Sequence, residues 1–322
     1  MKKLLLTLFL TVMVTAVAQA QQISVVSSNG STTLYSTLQE AIEGASDGSV
    51  IYLPGGGFPI SDDVKITKKL TIIGIGHKID TENVDGYTTV SGNLYFNEGS
   101  DGSALMGVYV AGSVFIGDDG KEVDDILIRY CSIHDLWVKN NQCLGTAINQ
   151  NYIRGTAYFA GSSAYFTNNI THGIHDLDDG FISNNILTGA VSNYSYAMVT
   201  IDRTSITNNI IINSSYIHYG SDCLVSGNML KGDWGEDCIN IGEADWKDVF
   251  MNWNNGTISP ASDFHFSDNY KKYQNQVGIY AGDTPFNDNQ MAPVPYIVAK
   301  HVDEHTDTTG KLNIKIRVKA GQ

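Results

Sequence analysis

Short apolar runs separated by Gly, Asn, Asp and Ser recur along most of the chain. Residues 23–27, VIYL at 50–53, VKI at 64–66, LTIIG at 70–74 and NLYF at 93–96 each predict a short strand. One stretch has a different period. In STLQEAIEGA at 36–45, Leu38, Ala41, Ile42 and Ala45 recur at helical spacing and Gly48 ends the pattern, which predicts one amphipathic helix. From residue 124 the chain repeats itself. Six segments align without a gap: DDILIRYCSI (124–133), LGTAINQNYI (144–153), SSAYFTNNIT (162–171), DDGFISNNIL (178–187), DRTSITNNII (202–211) and SDCLVSGNML (221–230). Their fifth column is always apolar: Ile128, Ile148, Phe166, Ile182, Ile206 and Val225. Their eighth holds Cys131, Asn151, Asn169, Asn185, Asn209 and Asn228, spaced by 20, 18, 16, 24 and 19 residues.

A period near twenty is short for a helical repeat but fits a coil of three short strands, stacked so that each strand pairs with its counterpart one turn away. Successive coils then lie about 4.8 Å apart. An Asn turned inward at a corner can exchange amide hydrogen bonds with the Asn above and below, satisfying groups that would otherwise be buried unpaired. Column eight is therefore expected to form an asparagine ladder.

At this point the chain resembles the right-handed parallel β-helix proteins of the pectin-lyase-like superfamily. The resemblance rests on the helix LQEAI at 38–42, followed by GSVIYLPG at 48–55 and ITKKLTIIG at 66–74. It also rests on DFHF at 263–266, VGIYAG at 277–282, PF at 285–286 and APVP at 292–295, similar to the closing segment of many secreted bacterial β-helix proteins. The resemblance implies an all-β fold: a right-handed single-stranded parallel β-helix with an N-terminal capping helix and a short C-terminal β tail. The expected organisation is a signal peptide at 1–20, an N-terminal strand and capping helix at 21–60, the β-helix at 61–284, and a Pro-containing linker with an amphipathic strand at 285–322. In that last strand Leu312, Ile314, Ile316 and Val318 alternate with Asn313, Lys315, Arg317 and Lys319.

The first twenty residues carry Lys2-Lys3, an apolar run at 4–17 and Ala18-Gln19-Ala20, the layout of a secretory signal. The expectation is export through the Sec pathway to the periplasm or the extracellular space, with no transmembrane segment. The formal charge is −14, from 20 Lys plus Arg against 34 Asp plus Glu, so nucleic acid is disfavoured as a partner. Cys131, Cys143, Cys223 and Cys238 allow three disulfide pairings; they form no CxxC spacing, and buried, unpaired thiols are the plain reading.

Relatives of the resembled fold include pectate lyases, polygalacturonases, pectin methylesterases and uronan epimerases, and none of their residue sets is intact here. GEDCINIG at 235–242 resembles the polygalacturonase stretch with paired aspartates, but its first acid is Glu236 and the companion motifs are missing. Polyuronates also need cations, and residues 124–260 hold only Arg129, Lys139, Arg154, Arg203, Lys231 and Lys247. A neutral glycan is the easier partner.

The first two columns offer a sharper candidate. Coil stacking is expected to set Asp178 beneath Asp202, with Asp222 one coil further on, giving carboxylates at glycosidase separations. Asp178, Asp179 and Asp202 are alternatively a calcium set. Against both stands the tendency of Asp to begin strands at polar turns. His172, His175 and Asp176 form a second, loosely spaced metal candidate. Arg203, Tyr194, Tyr196, Tyr216 and Trp234 are the substrate-binding candidates, with Tyr219, Trp246 and Trp253 as further rings for sugar stacking. Three function classes follow: a secreted β-helix, monomeric, binding a polysaccharide or cell-surface glycan along a strand face; a glycoside hydrolase or polysaccharide lyase using the carboxylate ladder; and a structural or adhesive envelope protein.

Overall fold

The computed structural model describes residues 22–60, 63–77, 86–189, 196–212, 217–232, 234–252, 262–289, 291–303, 305–306 and 309–319. Residues 1–20, where a signal peptide is expected, lie outside them. No helix among the described residues is long and apolar enough to cross a membrane.

The repeat folds into a parallel β-solenoid of about eight turns. Each full coil contributes one strand to a first sheet and two strands, at successive corners, to a second. The first sheet ascends through Ser49–Tyr52, Leu70–Ile73, Ala104–Met106, Leu127–Arg129, Thr146–Asn149, Ala164–Thr167, Phe181–Ser183, Ser205–Thr207 and Leu224–Ser226. Column five stays in register throughout: Ile128 pairs with Ile148, and then Phe166, Ile182, Ile206 and Val225 follow in turn. Those side chains point inward into one continuous apolar core. Each fully buried aliphatic contributes about 1.5–3 kcal/mol relative to an exposed one.

Two corners per repeat need left-handed backbone. Column seven takes it at Tyr130, Gln150, Asn168, Asn184, Asn208 and Gly227, with φ between 54° and 66°. Column two takes it at Asp125, Gly145, Asp179, Arg203 and Asp222. Asn and Asp tolerate this region better than other L-residues, which explains the NN and DD pairs: one member bends the chain and its neighbour bonds across coils. Column eight is the asparagine ladder. The Oδ1 atoms of Asn151, Asn169, Asn185, Asn209 and Asn228 each accept the backbone N–H of the preceding rung at 2.8–2.9 Å. Their Nδ2 groups donate to backbone carbonyls, at 2.8 Å from Asn185 to Phe166 O for example. All five side chains are fully buried. Cys131 heads the ladder, and Cys238 follows Asn228, since Met229 pairs with Ile239 one position on.

The helix Leu38–Gly44 starts at Thr37, whose hydroxyl accepts the Glu40 N–H at 3.2 Å, and buries Leu38, Ala41 and Ile42 over the first coils. The strand Ile23–Val26 pairs antiparallel with both Thr32–Tyr35 and Ser49–Tyr52. Parallel pairing thus begins at Ser49 and ends at Ile239–Asn240, before residue 284. The chain beyond leaves the solenoid and folds back over its flank. Column nine explains why: Tyr152, Ile170, Ile186, Ile210 and Met229 face outward yet are apolar, and Trp246, Val249, Phe250, Phe264, Phe266, Val277 and Ile279 cover them. The covering strap is fastened by Asn168 Nδ2, which donates to Ile279 O at 2.9 Å and Ala281 O at 2.8 Å, and by Gly278 N–H to Asn208 O at 2.8 Å. The C-terminal strand Ile314–Lys319 has a partner, Tyr296–Val302, so the tail is an antiparallel hairpin rather than a single strand.

Candidate functional site

Asp178 and Asp202 are direct Cα partners on adjacent coils. Their carboxylates have different company. Column-one acids elsewhere accept a backbone N–H from the next coil: Asp124 Oδ1 from Leu144 at 2.7 Å and Asp202 Oδ1 from Ser221 at 2.8 Å. Asp202 therefore holds a turn. Asp178 breaks the pattern. One of its oxygens receives the Arg203 guanidinium, and the other is buried without a hydrogen-bond partner. Asp222 falls in column two, beside Arg203 rather than Asp202, because Ser221 occupies the column-one place; it is exposed at a left-handed corner. The three acids also surround Cys223, whose thiol is pushed up by burial, with Asp202, Asp178 and Asp222 adding to the effect.

A calcium ion does not fit this corner. Arg203 already supplies the positive charge at Asp178, Asp202 is turned to the Ser221 amide, and Asp179 sits at the outward bend. Among the described residues no group of three or more His, Cys, Asp or Glu is gathered to hold a metal. His172, His175 and Asp176 diverge along one strand: the His175 ring packs on Tyr158 at 5.7 Å, and Asp176 adopts left-handed backbone. Within GEDCINIG, Glu236 bridges to Ser226 and Asp237 takes the column-seven bend, so these acids are parts of the last rung.

The aromatic candidates are dispersed. Tyr196 stacks on His218 at 5.3 Å, Trp234 and Tyr219 pack against the core, and Trp246 is buried with its indole N–H donated to Ile212 O at 2.6 Å. Tyr194, Tyr216 and Trp253 lie outside the described residues. All four cysteines are free thiols, and burial pushes Cys131 up to about 12.

Two features that the sequence reading missed emerge from the stacking. On the last strand face, Tyr95, Phe115, Trp137, Tyr158 and His175 form a continuous ring column, with centroids 4.6, 6.4, 3.9 and 5.7 Å apart. Lys139 lies 4.5 Å from the Trp137 ring centre. These rings cover one another's faces, which makes the column a stabilising element rather than a platform for a ligand.

The outer face of the first sheet is different. Column four reads Leu127, Ala147, Tyr165, Phe181, Ser205 and Leu224, in register. Column six beside it reads Arg129, Asn149, Thr167, Ser183, Thr207 and Ser226. From Thr146–Asn149 to Leu224–Ser226 every outward position is uncharged, in a chain of net charge −14. Tyr165, Phe181 and Leu224 are 53%, 49% and 57% exposed. Both columns were legible in the aligned segments as the positions flanking the apolar fifth.

The fold and this face together define a parallel β-solenoid with an uncharged, ring-bearing outer sheet. Comparison with protein-family models, with curated proteins and with solved structures found no match.

Proposed function

We propose that this protein is an exported β-helix of the pectin-lyase-like type that binds a neutral glycan on the outer face of its first sheet, without cleaving it. One observation carries the reading: exposed rings and a row of hydroxyl and amide side chains share a face bare of charge, although the chain is strongly acidic. Sugar recognition needs an apolar platform for the CH face of the ring and uncharged donors and acceptors for its hydroxyls. Between Thr146–Asn149 and Leu224–Ser226 a polyuronate would meet no cation on this face; Arg129, on the adjoining strand Leu127–Arg129, has its guanidinium over the Tyr130 ring. Export rests on the Lys2-Lys3, apolar and Ala18-Gln19-Ala20 pattern.

The competing enzymatic reading rests on the Asp178–Asp202 register. General acid and base work needs carboxyls free to exchange protons with a substrate, and these two are engaged by Arg203 and by the Ser221 amide. That arrangement favours binding over hydrolysis.

The test is a glycan-array and depolymerisation screen of residues 21–322 against neutral and acidic polysaccharides. A Tyr165→Ala/Phe181→Ala double variant and an Asp178→Ala/Asp202→Ala double variant run beside it. The expected result is retention of a neutral polysaccharide, lost in the ring variant, kept in the carboxylate variant, with no new reducing ends or unsaturated products. Product release abolished in the carboxylate variant would make this an enzyme. Binding to nothing, or to polyuronates alone, would overturn the reading.

A further inference from the structure

Tyr165 and Phe181 stack with ring centres 5.4 Å apart and planes 7° from parallel. They sit on neighbouring coils, so the ring planes lie across the solenoid axis and their facing sides cover each other. Their outer sides look along the axis in opposite directions. Each looks over a small residue, Ala147 beside Tyr165 and Ser205 beside Phe181. Tyr165 and Phe181 are half-exposed. Over these six coils the column reads Leu127, Ala147, Tyr165, Phe181, Ser205, Leu224: leucine, small, ring, ring, small, leucine, with Ala104 preceding Leu127 in the same row.

We infer that this face carries two separate pyranose-stacking slots, one over Ala147 between Leu127 and Tyr165, the other over Ser205 between Phe181 and Leu224, each holding a linear neutral glycan that runs along the strand direction. The inference rests on the glycan-binding reading and adds the number of sites and the direction of the chain. Each slot spans two coil spacings, about 9.6 Å between its walls' backbones, which leaves room for one sugar ring above the small floor residue. A pyranose stacks with its mean plane on the aromatic face. In an equatorially linked glycan the glycosidic bonds leave within that plane. The bound chain therefore runs parallel to the strands. Asn149 and Thr207, two residues beyond each floor, stand on the same outward side for its hydroxyls. The two slots lie three coils, about 14 Å, apart, so a polysaccharide with two parallel strands, or two molecules, can be gripped together.

Titration calorimetry and native mass spectrometry with cellohexaose, xylohexaose and mannohexaose measure the stoichiometry on the chain 21–322. Two oligosaccharides per protein are expected. Ala147→Phe and Ser205→Phe, outward changes that extend the ring column without touching the core, are each expected to halve the stoichiometry while leaving the remaining site's Kd within about twofold. The double variant is expected to bind none, with its circular dichroism unchanged. One oligosaccharide per protein, abolished by either single substitution, would mean a chain running along the axis and would overturn the two-slot inference while leaving glycan binding intact. Binding indifferent to both substitutions would overturn the location. Absence of any binding by the parent chain would overturn the underlying reading as well.

Discussion

Replacing Asn185 by Ala tests the ladder at its centre. The side chain is fully buried and makes four bonds: its Oδ1 accepts the Asn169 N–H at 2.8 Å and Asn169 Nδ2 at 3.2 Å, while its Nδ2 donates to Phe166 O at 2.8 Å and Asn209 Oδ1 at 2.9 Å. Truncation orphans one buried backbone N–H, at about 1–3 kcal/mol, and removes further bonds at about 1 kcal/mol each, for a loss of about 3–5 kcal/mol. No outer-row residue is comparable: Thr207→Ala, on the solvent side, is expected to cost under about 0.5 kcal/mol. Urea unfolding followed by far-UV circular dichroism measures both, with the slope checked because a stacked coil can lose cooperativity locally. Asn185→Asp sharpens the argument. At neutral pH it faces a carboxylate toward the Phe166 carbonyl and Asn209 Oδ1, both acceptors, so burial raises its folded-state pKa above the unfolded value near 3.9. A raised pKa favours the protonated native form, so the deficit relative to the parent is expected to shrink as pH falls from 7 toward 4. If Asn185→Ala costs no more than Thr207→Ala, or Asn185→Asp is indifferent to pH, the ladder is not what holds the corner.

The left-handed corners make a second test, because Asn208 has φ 56°: Asn208→Val is expected to lose about 1–2 kcal/mol and Asn208→Gly to stay within about 0.5 kcal/mol of the parent by the same denaturation. The buried Cys131 thiol, pushed up to about 12, should resist aromatic disulfide reagents at pH 8 until the chain is unfolded. Its folded-state pKa lies above the unfolded value, so its contribution is fully present below about pH 9 and fades as pH rises toward 12; a pH series of melting curves for Cys131→Ala should lack that alkaline component. On the ring column, Trp137 stacks on Tyr158 at 3.9 Å, and Trp137→Ala is expected to cost about 2–3 kcal/mol in urea unfolding, whereas Trp137→Tyr recovers most of it. The Arg203 side chain is exposed although Asp178 is half-buried, and the pair should matter little to folding, with Arg203→Ala expected to cost about 1 kcal/mol or less in urea unfolding.

The repeat was legible because two constraints act at fixed columns. An inward strand position must be apolar, and an inward corner must satisfy its own amides, so Ile206 and Asn209 announce themselves in sequence. The left-handed corners were equally visible in hindsight, as the first letter of each NN pair. Column nine carried a signal that went unread: consecutive apolar residues such as Ile210-Ile211 mean a strand buried on both faces, hence a cover outside the coil. What covers it was not legible, since nothing local in 277–281 says that its carbonyls will meet Asn168. The hairpin was half legible: the period of two at 312–319 marked one strand, but its partner at Tyr296–Val302 became visible only through pairing.

The sequence by itself determined the period and the inward columns, because each follows from spacing along the chain. Only the tertiary structure decided which residues meet across coils. Unequal spacings of 16 to 24 residues from rung to rung leave lateral neighbours undefined until the strands pair. Pairing then set Arg203 on Asp178, moved Asp222 one column aside, and brought Tyr165 and Phe181 together on a face without charge. A solenoid's chemistry lies along its axis, at right angles to the chain, and that direction exists only once the coils are stacked.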